Sequence, residues 1–340
     1  MTRAAFYKGH QSFGVEQIQA ATPAPGEVAI DVAYCGICGT DLHIFHGNMD
    51  ARTGDHRVIG HEMSGRVAAL GAGVEGLAVG DAVVVRPLVH CGECPACKAG
   101  YTHICHKLKF LGIDRDGAMQ GRWSVPSYTV HRLPAGMNLK HAALIEPLAV
   151  ACHDVGRAKL KAGERVLVIG GGPIGALIGV LAKRAGTEVT VAEINPARRT
   201  KLTQMGLAVI DPGQTDVAKW YQDQWGGANV VFEVSGSDPG AALMTAAAAT
   251  RGRLIIVGIN GRKPNVDLSQ FFWRELELYG ARVYEPQDYD AAIKLVADKV
   301  LDFESFITET LDLSDIQSAF KKLDSTPDAM KLMIQVGDVH

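Results

Sequence analysis

The 340-residue sequence predicts an α/β protein with a β-rich domain and a doubly wound parallel-sheet domain. The chain exceeds the size at which one hydrophobic core usually stops growing, so two domains are expected. Up to about residue 146, short apolar runs are broken by Gly and Pro, which is typical of strands joined by irregular loops. From residue 163 onward, short Val/Ile runs alternate with helical stretches, which indicates a parallel sheet covered on both faces.

The individual elements follow from the same patterns. In the first part the predicted strands are 27–34, 64–73 and 80–88. In the second part they are 165–170, 188–194, 207–212, 229–236, 252–259 and 276–283, with a helix over 173–186 after the first of them. The last part is predicted to contain a helix over 288–298 and a closing strand over 331–337.

Composition and charge restrict the class of protein. The net charge is -3, with 34 Lys and Arg against 37 Asp and Glu, so there is no basic footprint for nucleic acid. The first residues lack the apolar region of a signal peptide, and no apolar run reaches the roughly 20 residues that span a bilayer. We therefore expect a cytoplasmic protein with neither nucleic acid nor membrane as partner. In a reducing compartment disulfides are not expected.

A loop at 91–105, CGECPACKAGYTHIC, contains four of the seven cysteines. Cys91, Cys94 and Cys97 are each separated by two residues, and Cys105 follows after seven. Four thiolates form a closed tetrahedral set that suits zinc and leaves no position for substrate. The loop is therefore predicted to bind a structural zinc; an iron–sulfur cluster and four unrelated buried cysteines are the alternatives.

A second set of potential metal ligands is spread over three motifs. YCGICGTDLH contains Cys38, VIGHEMSG contains His61 and Glu62, and ALIEPLAV contains Glu146. Each of these residues alone could equally be a core thiol, a hydrogen-bonded core histidine or an ion-pairing carboxylate. Together, a thiolate, an imidazole and carboxylates can hold zinc with one position open. Such a zinc acts as a Lewis acid toward an alcohol or carbonyl oxygen, so this set is the predicted catalytic site.

The segment RVLVIGGGPIGAL predicts a dinucleotide-binding turn. Gly170, Gly172 and Gly175 have the G-x-G-x-x-G spacing between a predicted strand and a predicted helix. The glycines allow a tight turn, a close approach to the pyrophosphate and close helix packing. Glu193, about twenty residues further on, can hydrogen-bond the ribose hydroxyls, so NAD is predicted in preference to NADP.

Two arginines keep NADP open as the alternative. Arg198 either lies at a solvated helix start or flanks the adenosine, and Arg199 follows it. The remaining predicted cofactor-binding residues are Pro173, Ile174, Ser235, Val257 and Gly258.

These motifs occur in the order of one known family: CGTDLH at 38–43, GHE at 60–62, the four-cysteine loop, EPLAV at 146–150 and GGGPIG at 170–175. Over essentially its whole length the sequence resembles the zinc-dependent medium-chain dehydrogenases/reductases. The likeness is greatest to the branch with sorbitol, butanediol, threonine and L-galactonate dehydrogenases. The resemblance implies a GroES-like catalytic domain at 1–148, a Rossmann NAD-binding domain at 149–287, and a return to the catalytic domain at 288–340.

The resemblance also implies roles for individual residues. Cys38, His61 and Glu62 match the catalytic zinc positions, and Glu146 matches a carboxylate that binds this zinc directly or through water. The four cysteines of the loop match a structural zinc, which makes two zinc ions per chain.

Thr40 and His43 match a proton relay that passes the alcohol proton through the cofactor ribose to solvent. The expected partners are a small-molecule substrate and further copies of the chain, as a homodimer or homotetramer.

Two segments depart from the family pattern. In DGAMQGRWSVP at 116–126, Gly121 and Arg122 stand where relatives often have a charged residue and an aromatic, and RPL at 86–88 replaces an EP-type pair. We expect both segments near the substrate cleft or a subunit contact. An inward-pointing Arg122 could grip a carboxylate or vicinal diol, which would favour a sugar acid. Otherwise Arg122 is a surface residue packed against Trp123.

The predicted function is a zinc-dependent oxidoreductase that transfers a hydride between NAD and a secondary alcohol or ketone, with a polyol, sugar or sugar acid as the predicted substrate. The alternatives are a butanediol- or threonine-type dehydrogenase, and a zinc-independent quinone or enoyl reductase of the same superfamily. A non-catalytic dinucleotide sensor is a third class, but it would need neither Thr40 and His43 nor an open zinc site.

Overall fold

The structure is a computed structural model that describes residues 1–326 and 329–337. The chain divides into two compact units: residues 1–146 with the segment from 285 onward, and residues 147–284. The predicted domain breaks after residues 148 and 287 lie close to these boundaries.

Short strands dominate the first stretch of unit 1. The strands are β1 (Thr2–Tyr7), β2 (Phe13–Ile18), β3 (Glu27–Gly36), β4 (Arg57–Val58), β5 (Glu62–Leu70), β6 (Ala82–Val85), β7 (Leu88–Val89), β8 (Lys109–Phe110), β9 (Arg122–Pro126) and β10 (Val130–Arg132). The helices are α1 (Gly39–Phe45), α2 (Asp50–Thr53), α3 (Pro95–Lys98) and α4 (Leu139–Ala142), with 3₁₀ turns at Thr102–Ile104 and Ser127–Thr129.

Strands and helices alternate in unit 2. Helix α5 (Ile145–Ala158) begins in unit 1 and continues into unit 2. The strands that follow are β11 (Arg165–Ile169), β12 (Glu188–Ala192), β13 (Ala208–Ile210), β14 (Ala228–Glu233), β15 (Ala248–Ile256) and β16 (Glu277–Gly280). The helices between them are α6 (Pro173–Arg184), α7 (Pro196–Gln204), α8 (Val217–Trp225), α9 (Asp238–Ala247) and α10 (Ser269–Arg274).

The six strands of unit 2 form one parallel sheet in the order β13-β12-β11-β14-β15-β16. From β11 the chain first adds β12 and β13 on one side and then β14, β15 and β16 on the other, so the topological switch point lies between β11 and β14. A ligand site is expected there, at the carboxyl ends of the strands. Leu167, Val231 and Met244 are buried in the core of this unit. The parallel sheet predicted from the Val/Ile runs is confirmed.

The segment from residue 285 completes unit 1. Its elements are α11 (Pro286–Ala297), α12 (Phe303–Phe306), β17 (Ile307–Asp312), a 3₁₀ turn at Leu313–Asp315, α13 (Ile316–Ser325) and β18 (Lys331–Gln335). The main sheet of the unit has the order β10-β6-β5-β3-β18-β17, and β9 also pairs with β3. Strand β18 therefore lies inside the sheet, between β3 and β17.

The strand register brings three separate chain segments together at the end of β3. Gly36 pairs with Met333 on β18 and with Glu62 on β5. A Cβ at Gly36 would lie 2.3 Å from a carboxylate oxygen of Glu62, so a larger residue here would displace that carboxylate. The segments that carry Cys38, Glu62 and Lys331 are consequently neighbours.

Within the described residues, no helix is both long enough and apolar enough to cross a membrane.

Candidate active site

The four loop cysteines converge as their spacing predicted. The Cys105 sulfur lies 3.4 Å from that of Cys91 and 3.8 Å from that of Cys94, and the Cys91 and Cys97 sulfurs are 4.0 Å apart. Tetrahedral zinc with Zn–S bonds near 2.3 Å requires sulfurs about 3.8 Å apart. The donor set therefore fits a closed zinc site.

Backbone N–H groups donate hydrogen bonds to these sulfurs, which stabilises the thiolate form that binds a cation. The backbone N–H groups of Lys107 and Cys91 donate to the Cys105 sulfur at 3.3 and 3.4 Å, and that of His106 donates to Cys94 at 3.5 Å. A backbone hydrogen bond from Cys97 is the largest cause that lowers the pKa of Cys94, to about 6. The thiolate, which is the metal-binding form, is therefore favoured at Cys94. Burial acts in the opposite direction at Cys97 and raises its pKa to about 12.

The second predicted ligand set also comes together. Ligand atoms of Cys38, His61 and Glu62 all lie within 4.8 Å of one another, and His61 and Glu62 are buried. A thiolate, an imidazole and a carboxylate at this separation fit a zinc ion with an open position. Glu146 is buried in the same unit but does not belong to this close group.

Asp41 orients the two neighbouring ligand residues. It is fully buried; its Oδ2 accepts the backbone N–H of Cys38 at 2.9 Å, and its Oδ1 lies 3.6 Å from Nδ1 of His61. This arrangement leaves Nε2 of His61 for a metal, because a carboxylate facing the other ring nitrogen fixes the ring. Burial opposes a charge on His61, but Asp41 and then Cys38 outweigh it, so the pKa of His61 is raised.

Sequence reasoning missed Lys331, the first residue of β18. Lys331 is 3% exposed, and its ammonium group donates to both carboxylate oxygens of Glu62 at 2.6 Å and to the Ile37 carbonyl at 3.1 Å. Burial opposes its charge, but Glu62, Cys38 and Glu146 outweigh burial, and the pKa of Lys331 is raised. The available signal was a lysine opening an apolar strand, which could not identify its partner.

The two predicted relay residues lie on α1, next to the ligand set. Thr40 is half-buried and His43 is exposed. Their spacing of three residues places them on one face of the helix. A proton route from the half-buried Thr40 hydroxyl to the exposed His43 is therefore compatible with the helix geometry.

The glycine-rich turn has the predicted form. Gly170, directly after β11, has φ +101°, and a Cβ at Gly175 would lie 1.9 Å from the Gly170 carbonyl oxygen. Helix α6 then begins at Pro173, with Gly172 as N-cap. The first backbone N–H groups of α6 are thus available for a phosphate.

Glu193 directly follows β12, and its carboxylate accepts a backbone hydrogen bond from this turn. The carboxylate is buried and accepts the backbone N–H of Gly171 at 2.8 Å and that of Asn195 at 2.7 Å. Among residues 1–326 and 329–337, the buried Nε of Arg198 has no hydrogen-bond partner. A Cβ at Gly172 would lie 3.9 Å from Nη1 of Arg198. Arg199, by contrast, is paired with Asp211 at 2.8 Å.

The other predicted cofactor residues lie at the carboxyl ends of neighbouring strands. Ser235 follows β14, and its backbone N–H donates to Glu233 at 3.0 Å. The backbone N–H groups of Val257 and Gly258, after β15, donate to the Glu233 carbonyl at 2.9 and 2.8 Å. Gly170 lies close to Ser235, because a Cβ added at Gly170 would be 3.1 Å from the Ser235 nitrogen. Pro173 and Ile174 open α6 beside them.

The suggestion that Arg122 grips substrate is wrong. Arg122 lies opposite Asp31 in the β3–β9 register and forms a bidentate pair with it at 2.7 and 2.9 Å. The Asp31 side chain is 54% exposed, so the pair lies at the surface. The other departing segment, RPL, joins β6 to β7, and Arg86 within it is buried.

Known proteins match the chain along its length. The family model of the alcohol dehydrogenase GroES-like domain matches residues 24–135, and that of the zinc-binding dehydrogenase matches residues 173–298. A 2-dehydro-3-deoxy-L-galactonate 5-dehydrogenase from Pseudoalteromonas atlantica is 53% identical over 98% of this chain and 98% of its own length. The chain belongs to the zinc-containing medium-chain alcohol dehydrogenase family.

Two further matches support this alcohol dehydrogenase assignment. An L-galactonate-5-dehydrogenase from Escherichia coli is 33% identical over 89% of this chain and 90% of its own length. A solved structure from Sinorhizobium meliloti 1021, bound to NADP, has a TM-score of 0.92 at 29% identity and covers 98% of this chain and 99% of that chain. The GroES-like and Rossmann-type fold predicted from the sequence is confirmed.

The family assignment also decides between the predicted function classes. This alcohol dehydrogenase is an NAD(P)-dependent zinc oxidoreductase acting on CH–OH groups. The prediction of a polyol, sugar or sugar-acid dehydrogenase is confirmed by these relatives, whereas the quinone reductase and the non-catalytic sensor do not fit them.

Proposed function

We propose that this alcohol dehydrogenase oxidises a secondary alcohol of a sugar acid, with 2-dehydro-3-deoxy-L-galactonate as the first candidate substrate. One observation carries the proposal: the 53% identity, over 98% of the chain, to a dehydrogenase with that substrate in its name. The 33% identical relative is likewise named for a sugar acid and for position 5. Because Arg122 is committed to Asp31, another group must bind the carboxylate of such a substrate.

We infer two zinc sites from the two ligand sets. Cys38 and His61, with a carboxylate from Glu62 or Glu146, would hold a catalytic zinc, and the four-cysteine loop would hold a structural zinc. When bound, the catalytic zinc supplies Lewis-acid stabilisation of negative charge on the substrate oxygen, and the dinucleotide supplies the hydride acceptor.

The protein's own groups manage the proton. The half-buried hydroxyl of Thr40 would take the proton of the substrate alcohol, and the exposed His43 would release it to solvent. The fully buried carboxylate of Asp41 faces Nδ1 of His61 at 3.6 Å and favours the ring orientation in which Nε2 is left for the metal.

We infer that NAD is the preferred coenzyme. The Glu193 carboxylate lies at the end of β12, where the ribose of a dinucleotide binds, and a negative charge there repels a 2′-phosphate. The guanidinium of Arg198 lies beside the same turn and could pair with the 2′-phosphate of NADP, which would allow weaker use of that coenzyme. The solved relative that holds NADP shows that a similar fold can accept this coenzyme.

A substrate panel tests the function. The rate of NADH formation is measured with 2-dehydro-3-deoxy-L-galactonate, L-galactonate, sorbitol, butanediol, threonine and ethanol, alongside zinc content per chain. We expect the highest kcat/KM with one of the two sugar acids and two zinc ions per chain. Ethanol as the best substrate, or full activity in zinc-free protein, would contradict the proposal.

The coenzyme preference is tested by Glu193→Gln and Glu193→Ala, with Glu188→Ala as the control. Glu188 is an exposed carboxylate at the start of the same strand. Loss of a charge-assisted hydrogen bond costs about 1.5–3 kcal/mol, so KM for NAD should rise at least tenfold in the Glu193 variants only. A wild-type enzyme that is faster with NADP than with NAD at equal concentration would refute the preference.

We also propose a homodimer or homotetramer in which the edge of unit 2 is an interface. Strand β16 is the last strand of its sheet, and Phe272, Trp273 and Leu278 near it are exposed, the first two by 76% and 75%. An unpaired edge strand beside apolar side chains is a natural contact for a second copy. Sedimentation of Trp273→Glu should show a smaller species than the wild type.

The cytoplasm remains the proposed location. None of the seven cysteines forms a disulfide, which fits a reducing compartment, and five of them belong to the two proposed zinc sites.

A further inference from the structure

Glu233, the last residue of β14, places a buried carboxylate at the topological switch point of the parallel sheet. It is 1% exposed, and in the strand register it pairs with Ile169, the residue before Gly170. Ligands of such sheets bind in the crevice at the carboxyl ends of these strands. Because the carboxylate is buried, it does not reach a ligand in that crevice directly. Any effect of Glu233 on a ligand must therefore pass through the groups that it holds.

The groups that Glu233 holds form the loop after β14. Its Oε1 accepts the backbone N–H groups of Ser235 and Gly236 at 3.0 and 3.1 Å and the Ser235 hydroxyl at 2.5 Å. The Gly236 N–H is shared with Oε2 at 3.2 Å. Hydrogen bonds to an ionised acceptor are roughly twice as strong as those between neutral groups. One carboxylate thus fixes the backbone of two successive loop residues.

Ser235 connects this loop to the glycine-rich turn. It is exposed, and a Cβ added at Gly170 would lie 3.1 Å from the Ser235 nitrogen and 3.2 Å from its Cα. That nitrogen is the atom that donates to Glu233. The backbone that Glu233 fixes therefore packs directly against the turn predicted to bind the pyrophosphate.

Two other segments approach the same carboxylate closely. A Cβ added at Gly240, on α9, would lie 2.3 Å from the Ser235 Oγ and 2.5 Å from Oε1 of Glu233. A Cβ added at Gly258, after β15, would lie 2.3 Å from the Gly236 nitrogen and 2.9 Å from Oε2 of Glu233. The start of α9 and the end of β15 are therefore packed around this carboxylate, and the absence of a side chain at both glycines leaves it in place.

We propose that Glu233 is a positioning residue for the coenzyme, which holds the loop of Ser235 and Gly236 in the arrangement that receives the dinucleotide. A loop that is ordered before binding adds no ordering cost to binding. Without the carboxylate the loop samples other arrangements, and the apparent affinity falls with the fraction of molecules that remain competent. The loss appears in coenzyme affinity and not in kcat at saturating coenzyme, because bound coenzyme then orders the loop.

Glu233→Gln is the first test, because it keeps the shape of the side chain but removes its charge and one acceptor oxygen. The Kd is measured on the zinc-loaded full-length protein by coenzyme fluorescence, with NADH or NADPH, whichever binds the wild type more tightly. We expect Kd to rise roughly tenfold or more, the equivalent of one lost charge-assisted hydrogen bond. With the best substrate of the panel, kcat at saturating coenzyme should be unchanged.

Glu164→Gln is the matched control. The Glu164 carboxylate directly precedes β11, at the end of the strand opposite to Gly170, and pairs with Arg253. The control should lower the unfolding temperature but leave Kd unchanged. A folded Glu233→Gln protein that binds coenzyme like the wild type, or that loses only stability as the control does, would overturn the proposal.

Gly240→Ala provides an independent test that leaves every charge and hydrogen-bonding group in the chain, and it decides the question if Glu233→Gln does not fold. The added methyl group would displace the carboxylate and the Ser235 hydroxyl, so Kd should rise roughly threefold or more. Gly156→Ala, on α5, is its control, because a Cβ there would meet no atom within 4 Å. Unchanged coenzyme affinity in a folded Gly240→Ala protein would contradict the role of the carboxylate. The readout is coenzyme binding, so the result does not depend on the proposed substrate.

Discussion

Replacing Lys331 by Met should destabilise unit 1 strongly. The change removes one partner of a buried pair in which Glu62 is 1% exposed and the lysine side chain 4% exposed. Methionine has nearly the shape of the lysine stem, so packing is preserved and the Glu62 charge is left uncompensated. The effect therefore measures electrostatics and hydrogen bonding at the candidate zinc site.

The size of the effect follows from the contacts. Lys331 donates two charge-assisted bonds of 2.6 Å to Glu62, each typically worth about 1.5–3 kcal/mol. Breaking a buried pair by removing one partner costs about 3–5 kcal/mol, and we expect a loss in that range. Glu62→Gln added to Lys331→Met should recover part of it, because no buried charge then remains.

The measurement is urea unfolding of metal-free wild type and variants, in which no zinc can compensate Glu62, followed by circular dichroism and tryptophan fluorescence. The control is Lys322→Met, which removes an exposed pair with Glu309 in the same returning segment and should cost at most about 1 kcal/mol. A loss below about 1 kcal/mol for Lys331→Met would refute the reasoning, since Glu62 would then have another stabilising partner.

Three further outcomes follow from the structure. Cys97→Ser should lower zinc content by one ion per chain and lower thermal stability, whereas Cys152→Ser should keep both zinc ions; a fully stable Cys97→Ser protein with two zinc ions would contradict the closed site. His43→Ala should reduce kcat on the order of a hundredfold without changing zinc content, because water partly replaces a relay group; an unchanged kcat would exclude the relay. Arg3 and then Ser314 hold the pKa of Asp312 at about 2, below its ordinary 3.8, so this carboxylate contributes stability above pH 4 that is lost as pH falls toward 2. Asp312→Asn should flatten the fall of unfolding free energy over that range, and an unchanged slope would refute the assignment.

Local motifs were predictable from the sequence because their geometry is set within a few residues. The sulfurs of the four-cysteine loop converge within fifteen residues, and the turn at Gly170 needs only the strand before it and the helix after it. The Val/Ile runs likewise predicted the parallel sheet, because strands buried on both faces must be apolar.

Long-range pairing was not predictable in the same way. Lys331 reaches Glu62 across 269 positions, and only the placement of β18 against β3 brings them together. Arg122 was assigned a choice between cleft and surface, but its side chain is fixed by the register that sets it opposite Asp31, 91 positions away. A single sequence contains no direct signal for strand register between distant segments.

The position of β18 has a consequence for biosynthesis. The ribosome makes all of unit 2 before the strand that fills the space between β3 and β17. Unit 2 is continuous in the chain, so it can fold while translation proceeds, since domains generally fold as units during synthesis. Until β18 is made, the end of β3 has no strand to pair with on that side. During this time Glu62 lacks the ammonium group of Lys331. Assembly of the candidate zinc site is thus a late event, and a chain that stalls before residue 331 would carry a finished nucleotide-binding unit beside an unfinished catalytic one.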